Sequence, residues 1–290
     1  MAYFFQILVG GLAEGSVYAL IALGFVLIYK ASGVLNFAQG EFMMVGAYFA
    51  FFLIEEWKLP FALGVIIALA LAALLGLLLN GLIFQRMIDE PILSVIMVTI
   101  GLASFMRSVS GFAFNLREST ITSPVGDSVI HFGGVTIWEL YLWTIIIALV
   151  LFGFFSLFFR YTYMGLGMRA AAENQESAQL MGISIKGVFG LSLVIASVVA
   201  AIGGIFSAQL THVSPEMYLV GLRALPAAFL GGIDSIPGVI VGGLILGVIE
   251  GFAGGYISGG AKEVVAFVML FIILLIKPHG LFGTKEIKRV

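Results

Sequence analysis

Long apolar stretches follow one another along this chain, and short polar segments separate them. A helix needs about 20 mostly apolar residues to cross the hydrocarbon core of a bilayer. Four stretches meet that length, and they cover residues 5–28, 59–85, 140–159 and 187–215. Glu14 is the one charged residue in the first of them, and the second and fourth contain none. The pattern predicts a membrane protein built from several α-helices.

Five further apolar stretches are shorter or are interrupted by Gly and Pro. They cover residues 42–54, 92–106, 224–233, 236–249 and 264–276. Such segments are typical of broken helices packed inside a transporter, although ordinary helices with polar ends give the same pattern. We therefore expect an all-α transmembrane bundle of about eight or nine spans, folded as a single domain over residues 1–290.

Composition supports a lipid environment and excludes several functions. Hydrophobic residues make up 61% of the 290 positions and charged residues 10%, against about a quarter charged in soluble domains. The chain has no cysteine, so disulfides and thiolate metal sites are excluded. No Walker A, HExxH or GxSxG motif occurs, and the three histidines lie far apart in the sequence. We expect neither an enzyme, nor a cofactor, nor a metal site.

Lysine and arginine accumulate in the loops of one side, which sets the orientation. With the N-terminus outside, the cytoplasmic side carries Lys30, Arg86, Arg160, Arg169, Lys186, Lys277, Lys285, Lys288 and Arg289, and the outer side carries Lys58, Arg117, Arg223 and Lys262. The C-terminus is then cytoplasmic. Residues 115–139 form an extracytoplasmic loop whose segment SVIHFGGVTIW predicts a small hairpin, and residues 160–186 form the longest cytoplasmic loop.

Polar residues at membrane depth are the candidates for a solute path. Glu14 lies about ten residues into the first span, so it must face the protein interior, pair with a partner or be protonated. Asn36, Gln39 and Glu41 crowd ahead of a Met-rich apolar segment, where they would line a passage or cap a helix. Arg107 and Glu250 raise the same question as Glu14, and structural pairing is an equal alternative for all three.

The cytoplasmic loop contains a short amphipathic helix pattern. Arg169 and Glu173 are four residues apart and favour a helix. Ala171, Ala178 and Met181 are predicted to share one face, and Gly182 to end the helix. Small residues opposite Glu and Gln favour docking to a soluble protein over binding to lipid. A solvated connector is the alternative.

Four motifs resemble one known family. NFAQGEFMMVGAY from Asn36, RAAAENQESAQLMGI from Arg169, LGGIDSIPGVIVGGLILG from Leu230 and KPHGLFG from Lys277 look like the LivH-type permease subunit of the branched-chain amino-acid ABC transporters, nearly end to end. Many members carry His where this chain has Gln39, and a glutamine does not titrate, so a proton relay at this position is not expected.

The resemblance implies a bacterial inner-membrane permease for leucine, isoleucine or valine. It implies four kinds of partner, which are membrane lipid, a second related permease subunit, two cytoplasmic ATPase subunits and a periplasmic substrate-binding protein. The loop from Arg169 would be the helix that couples the permease to the ATPases. The alternatives are an importer of urea or amides, an ion-coupled secondary transporter and a structural membrane protein.

Overall fold

Eleven α-helices form most of the chain in the computed structural model, which describes residues 2–88, 90–114, 118–123, 128–132 and 135–283. The helices are α1 (Ala2–Ser32), α2 (Gln39–Phe51), α3 (Phe61–Leu82), α4 (Ile92–Phe114), α5 (Glu139–Tyr161), α6 (Tyr163–Glu173), α7 (Gln175–Leu180), α8 (Ile185–Leu210), α9 (Met217–Gly231), α10 (Ile236–Tyr256) and α11 (Gly259–Ile276). A π-helical turn (Phe52–Glu56) continues α2, and a 3-10 turn (Phe84–Arg86) follows α3.

Helix α1 is the centre of the bundle. Its residues from Gly15 to Ile28 are all buried, and it packs against α10, α8, α9 and α5. Apolarity alone does not set this central position, because α11 has a higher mean hydropathy than α1 (2.2 against 1.9) yet is 6% buried, whereas α1 is 89% buried. Helices α3, α4 and α5 keep one exposed apolar face each.

Glycines bring α1 and α10 into close contact. A Cβ atom added to Gly15 would lie 2.7 Å from the carbonyl oxygen of Gly243. Gly243 and Gly247 are four residues apart on α10, and both face α1. Small residues at this spacing let membrane helices approach backbone to backbone.

The two ends of α1 define two ends of the molecule. Near its start, the Tyr3 hydroxyl donates to the carbonyl oxygen of Gly255 at the end of α10 (2.8 Å). At its other end, Gln175 Nε2 of α7 donates to the carbonyl oxygen of Ala31 (3.1 Å). The 31 residues of α1 span about 45 Å at 1.5 Å per residue, so α6 and α7 lie at the end opposite Tyr3.

A small antiparallel hairpin lies at the Tyr3 end, where β2 contacts α1. Its strands are β1 (Val129–Phe132) and β2 (Val135–Trp138), with Val129 opposite Trp138. The predicted hairpin is therefore confirmed, although residues 133 and 134 lie outside the described residues. His131 is exposed, and its Nδ1 is 3.2 Å from Thr136 Oγ1. We call this end of the molecule the hairpin end.

Seven of the described helices are long and apolar enough to cross a membrane. They are α1, α3, α4, α5, α8, α10 and α11. Two shorter helices complete the bundle: α2 packs mainly against α8, and the 15-residue α9 packs mainly against α10. This architecture confirms the polytopic helical bundle. The count of eight or nine spans stays a prediction, since seven of the described helices meet the length and apolarity needed to cross a membrane.

Three of the segments expected to be short are complete helices. Helix α4 continues past Arg107, α10 continues past Glu250, and α11 begins before Lys262. The sequence pattern predicted that these spans end at the charged residues. The structure continues them because each charged or polar side chain has a partner on another helix, as described below. Two segments remain short, and they are α2 and α9. Helix α9 contains Pro226 in its interior.

Candidate functional site

Helix α2 begins inside the bundle. The side chain of Gln39, its first residue, donates from Nε2 to the carbonyl oxygen of Ala196 (3.2 Å), near the middle of α8. It also lies against Gly24 of α1, where an added Cβ atom would collide with it. The loop between α1 and α2 therefore turns back into the bundle. Gly33 enables the turn with a φ of +71°, a conformation that favours glycine.

Three predicted path residues meet at this buried helix start. Asn36, Gln39 and Glu41 expose 1%, 0% and 2% of their surface. Asn36 Oδ1 accepts a hydrogen bond from the Ala38 backbone N–H (3.1 Å). Asn36 Nδ2 and Gln39 Oε1 have no hydrogen-bond partner among the described residues. Unsatisfied buried polar groups are costly, so these two atoms mark a position suited to a polar ligand.

An ion pair completes this group. Arg107 Nη2 of α4 donates to Glu41 Oε1 (2.6 Å). The guanidinium also lies over the ring of Tyr218 of α9, with its Cζ 3.3 Å from the ring centroid. The Glu41 side chain is 3% exposed and the Arg107 side chain 38%, so the pair is open on one side. The sequence singled out Arg107, but nothing in the pattern indicated Tyr218.

Two cavities lie on either side of the loop before α2. One has a volume of about 160 Å³ and is lined by Phe37, Glu41, Arg107 and Tyr218, among others. The other has a volume of about 190 Å³ and is lined by Asn36, Thr99 and Gln175, among others. The second cavity reaches α7, which lies at the end opposite the hairpin.

The fourth predicted path residue lies elsewhere. Lys262 Nζ of α11 is 2.6 Å from Glu14 Oε1 and 2.5 Å from Glu14 Oε2. Glu14 precedes Gly24, the neighbour of Gln39, by ten residues, or about 15 Å along α1. Glu14 therefore belongs to a separate cavity near the hairpin, and its expected pairing has a defined partner. Sequence reasoning did not identify this partner, because Lys262 was assigned to an outer loop.

The loop that is predicted to be cytoplasmic forms two helices instead of one. Asn174 separates α6 from α7, and its Oδ1 accepts a hydrogen bond from the Ser177 N–H (2.8 Å). Helix α7 ends at Leu180, and Gly182 follows with a φ of +83°, as the predicted helix end requires.

Ala171, Ala178 and Met181 do not form the single docking face that the sequence predicts. Ala171 and Ala178 are 2% and 3% exposed, because they pack against the chain itself, whereas Met181 is 82% exposed. The break at Asn174 changes the register between α6 and α7, so the three residues do not share a face. Arg169 is exposed and donates to the carbonyl oxygen of Arg160 (3.3 Å). Among the described ion pairs, none joins it to Glu173.

A bundle of membrane-spanning helices, with a polar group buried at the start of a half-length helix, is the architecture of a membrane transport protein. A family model described as branched-chain amino acid transport system / permease component matches residues 7–275. The chain belongs to this family, which confirms the resemblance found in the sequence. A permease component is a transport protein, so the expectation that the chain is not an enzyme is confirmed as well.

Individual relatives agree with this assignment. The chain is 33% identical, over 99% of its length and 98% of the relative, to the high-affinity branched-chain amino acid transport system permease protein LivH of Salmonella typhimurium. It is 32% identical, with the same coverage, to the permease protein BraD of Pseudomonas aeruginosa. The fold resembles a chain of PsaBC from Streptococcus pneumoniae in complex with Fab, with a TM-score of 0.52, 16% identity and coverage of 93% and 91%.

Proposed function

We propose that this chain carries leucine, isoleucine or valine across a bacterial inner membrane as one permease subunit of an ABC importer. The names of the LivH and BraD relatives support this substrate class, and both relatives match nearly the whole chain. A second permease subunit, two cytoplasmic ATPase subunits and a periplasmic binding protein would complete the transporter. The chain itself contains no Walker A motif, so ATP hydrolysis falls to the partners.

The buried polar group at the start of α2 carries this proposal. A branched-chain amino acid is a zwitterion with an aliphatic tail, so both charges need partners during passage. Asn36 Nδ2 is a free donor for a carboxylate, and Gln39 Oε1 is a free acceptor for an ammonium group. The Glu41–Arg107 pair offers one charge of each sign beside them. The tail requires only an apolar wall, which the surrounding helices supply.

The path that we infer runs through the two cavities beside the loop before α2. The solute would pass from the cavity at Arg107 and Tyr218 to the cavity at Asn36 and Gln175. The two are separated by Phe37 and its neighbours, so a shift of this short loop would join them. Movement of the loop would thus open and close the path.

The ATPase subunits are expected to dock on α6 and α7. The exposed residues at the tip of α7 include Leu180, at 84%, and Met181, at 82%. Bulky apolar side chains that protrude from a short helix suit insertion into a groove of a partner. Ala171 and Ala178 hold the helices against the bundle instead. This surface is at the end opposite the hairpin, in agreement with an outer hairpin and a cytoplasmic α6–α7.

Transport measurements test the substrate and the energy source together. Vesicles containing this chain and all proposed partners should take up radiolabelled leucine when ATP is supplied, and a protonophore should not block the uptake over short times. Vesicles that lack the ATPases should take up none. Uptake of labelled urea in place of leucine would favour the amide importer. Leucine uptake by this chain alone, driven by a proton or sodium gradient, would favour a secondary transporter.

A further inference from the structure

The cavity at the hairpin end is separate from the path at α2. Its volume is about 450 Å³, which is within the usual range for small-molecule sites. Helices α1, α5, α10 and α11 and strand β2 surround it, and its lining includes Glu14, Glu250, Lys262, Trp138 and Tyr141. None of these residues lines the two cavities beside the start of α2.

One carboxylate oxygen in this cavity lacks a partner. Glu250 is 0% exposed. Its Oε2 accepts a hydrogen bond from the Tyr18 hydroxyl (2.6 Å). Its Oε1 has none among the described residues. A buried carboxylate with a free acceptor is costly, and a donor bound in the cavity would remove that cost.

The charges of the cavity indicate the sign of the missing donor. Glu14 and Glu250 each carry one negative charge when ionised, and Lys262 carries one positive charge. Lys262 is already within 2.6 Å of both carboxylate oxygens of Glu14. With Glu250 ionised, the lining of the cavity therefore carries one more negative than positive charge. A ligand with one positive charge would balance it.

The walls of the cavity suit an organic cation rather than a bare ion. Trp138 and Tyr141 stack with their ring centroids 5.8 Å apart, and both line the cavity. Aromatic faces attract ammonium groups through their quadrupole. Ile7 and Ile137 add apolar surface, against which an aliphatic group can pack.

We propose that this cavity binds the ammonium group of a small aliphatic amine, with Glu250 as its partner. Resting on the proposed function, the amino acid that the transporter carries is such a compound, and the cavity is then a first binding position on the hairpin side. The carboxylate of the ligand is not needed for recognition. Leucinamide, which is a cation, should bind at least as tightly as zwitterionic leucine, and isocaproate, which lacks the amine, should not bind.

Fluorescence of Trp138 provides the test, because this residue lines the cavity. The full chain in lipid nanodiscs would carry Trp57→Phe and Trp143→Phe, which leaves Trp138 as its one tryptophan. Titration with leucinamide or leucine should change the emission in a saturable manner, and isocaproate should not. Glu250→Gln should weaken leucinamide binding roughly 10- to 100-fold, the usual range for a hydrogen bond to a charged group.

Glu263→Gln is the matched control. Glu263 is also a carboxylate at the start of α11, but it pairs with Arg223 (2.5 Å), is 64% exposed and does not line the cavity. Its loss should leave the affinity for leucinamide unchanged. The proposal is overturned if isocaproate binds as tightly as leucinamide, if no amine gives a saturable response, or if Glu250→Gln binds as the parent does.

Two features keep the outcome clear. The comparison of leucinamide with isocaproate uses intact Glu250, so it decides the proposal even if Glu250→Gln does not fold. The titration also needs neither ATP nor partners. Amine binding without leucine uptake in the complete transporter would contradict the proposed function alone, and uptake without amine binding would contradict this site alone.

Discussion

Arg107 and Glu41 are 66 positions apart in the chain, and Arg107 Nη2 donates to Glu41 Oε1 at 2.6 Å. This ion pair joins α4 to the first turn of α2, beside the free amide atoms of Asn36 and Gln39. A helix that crosses the bundle is thus fixed to the half-length helix that begins inside it. The pair supplies both charges of the proposed solute path.

Replacing Glu41 with Gln should reduce leucine uptake by about tenfold or more, since the ion pair becomes a hydrogen bond to a neutral amide and Arg107 is left without its counter-charge. Membrane levels of the protein should fall less, because Arg107 is 38% exposed and keeps some contact with solvent. Uptake in vesicles and immunoblotting measure the two effects. Glu56→Gln, an exposed carboxylate further along the same segment, is the control, and equal uptake by the two variants would remove Glu41 from the path.

Gln175→Ala should weaken the link between ATP hydrolysis and transport. Gln175 donates to the carbonyl oxygen of Ala31 (3.1 Å), which precedes the loop that leads to Asn36, and it also lines the neighbouring cavity. We expect less leucine transported per ATP hydrolysed, with the ATPases still bound. Gln179→Ala removes an exposed glutamine of the same helix and should leave this ratio unchanged. An unchanged ratio in Gln175→Ala would exclude this contact as the link.

Docking of the ATPases should depend on the exposed tip of α7. The double change Leu180→Asp and Met181→Asp places charges where apolar side chains protrude. It should abolish co-purification of the ATPase at normal permease levels, because buried unpaired charges cost about 2–5 kcal/mol each at an interface. Glu176→Gln, on the exposed side of α7, is the control and should bind normally. Full ATPase association by the double variant would move docking to another surface.

Ala178→Arg should act differently from the changes at the tip of α7. Ala178 is 3% exposed, so arginine there would overfill a packed contact within the permease itself. We expect lower amounts of folded permease in the membrane, which size-exclusion chromatography of the solubilised protein would detect. A well-folded variant that loses only the ATPase would instead support the alanine face as the docking surface.

Gly15→Ala should destabilise the bundle by roughly 1–3 kcal/mol, the usual cost of overpacking. The added methyl group would lie 2.7 Å from the Gly243 carbonyl oxygen, and this backbone atom cannot move aside as a flexible side chain does. Gly101→Ala on α4 is the control, since nothing lies within 4 Å of its added methyl group. Thermal unfolding in detergent measures both. Equal midpoints would contradict the close contact of α1 and α10.

Single cysteines test the orientation cleanly, because the chain has none of its own. Ser177 on α7 and Thr120 near the hairpin end are both exposed. Ser177→Cys should react with an impermeant thiol reagent only from the cytoplasmic side, and Thr120→Cys only from outside. Reaction of both from one side, or the reverse pattern, would contradict the proposed orientation.

Much of the fold follows from the sequence because lipid imposes a simple rule. Every backbone polar group in the bilayer must be satisfied locally, so a long apolar stretch is a helix. Residues 5–28 and 140–159 were predicted on this basis and lie within α1 and α5. The segment SVIHFGGVTIW likewise predicts its hairpin from local pattern alone. These predictions need no knowledge of which helix lies beside which.

Helices α4, α10 and α11 are longer than their apolar stretches predict, so the local pattern did not locate their ends. Arg107, Glu250 and Lys262 read as span ends, because an unpaired charge in a membrane is costly. Their partners are Glu41, Tyr18 and Glu14, at least 66 positions away. An ion pair between distant helices depends on packing, which no local window contains.

The class of protein, the helical membrane architecture, the family and the polar residues around the start of α2 all follow from the amino-acid sequence. Contacts between distant helices bury Asn36, Gln39 and Glu41 beside Arg107 and Tyr218. They also place Glu14 in a different cavity with Glu250 and Lys262. The same contacts turn Ala178 inward and leave Met181 exposed. The physical reason is that apolarity and helix formation are properties of short segments, whereas burial, pairing and the direction of a face depend on contacts between segments far apart in the chain.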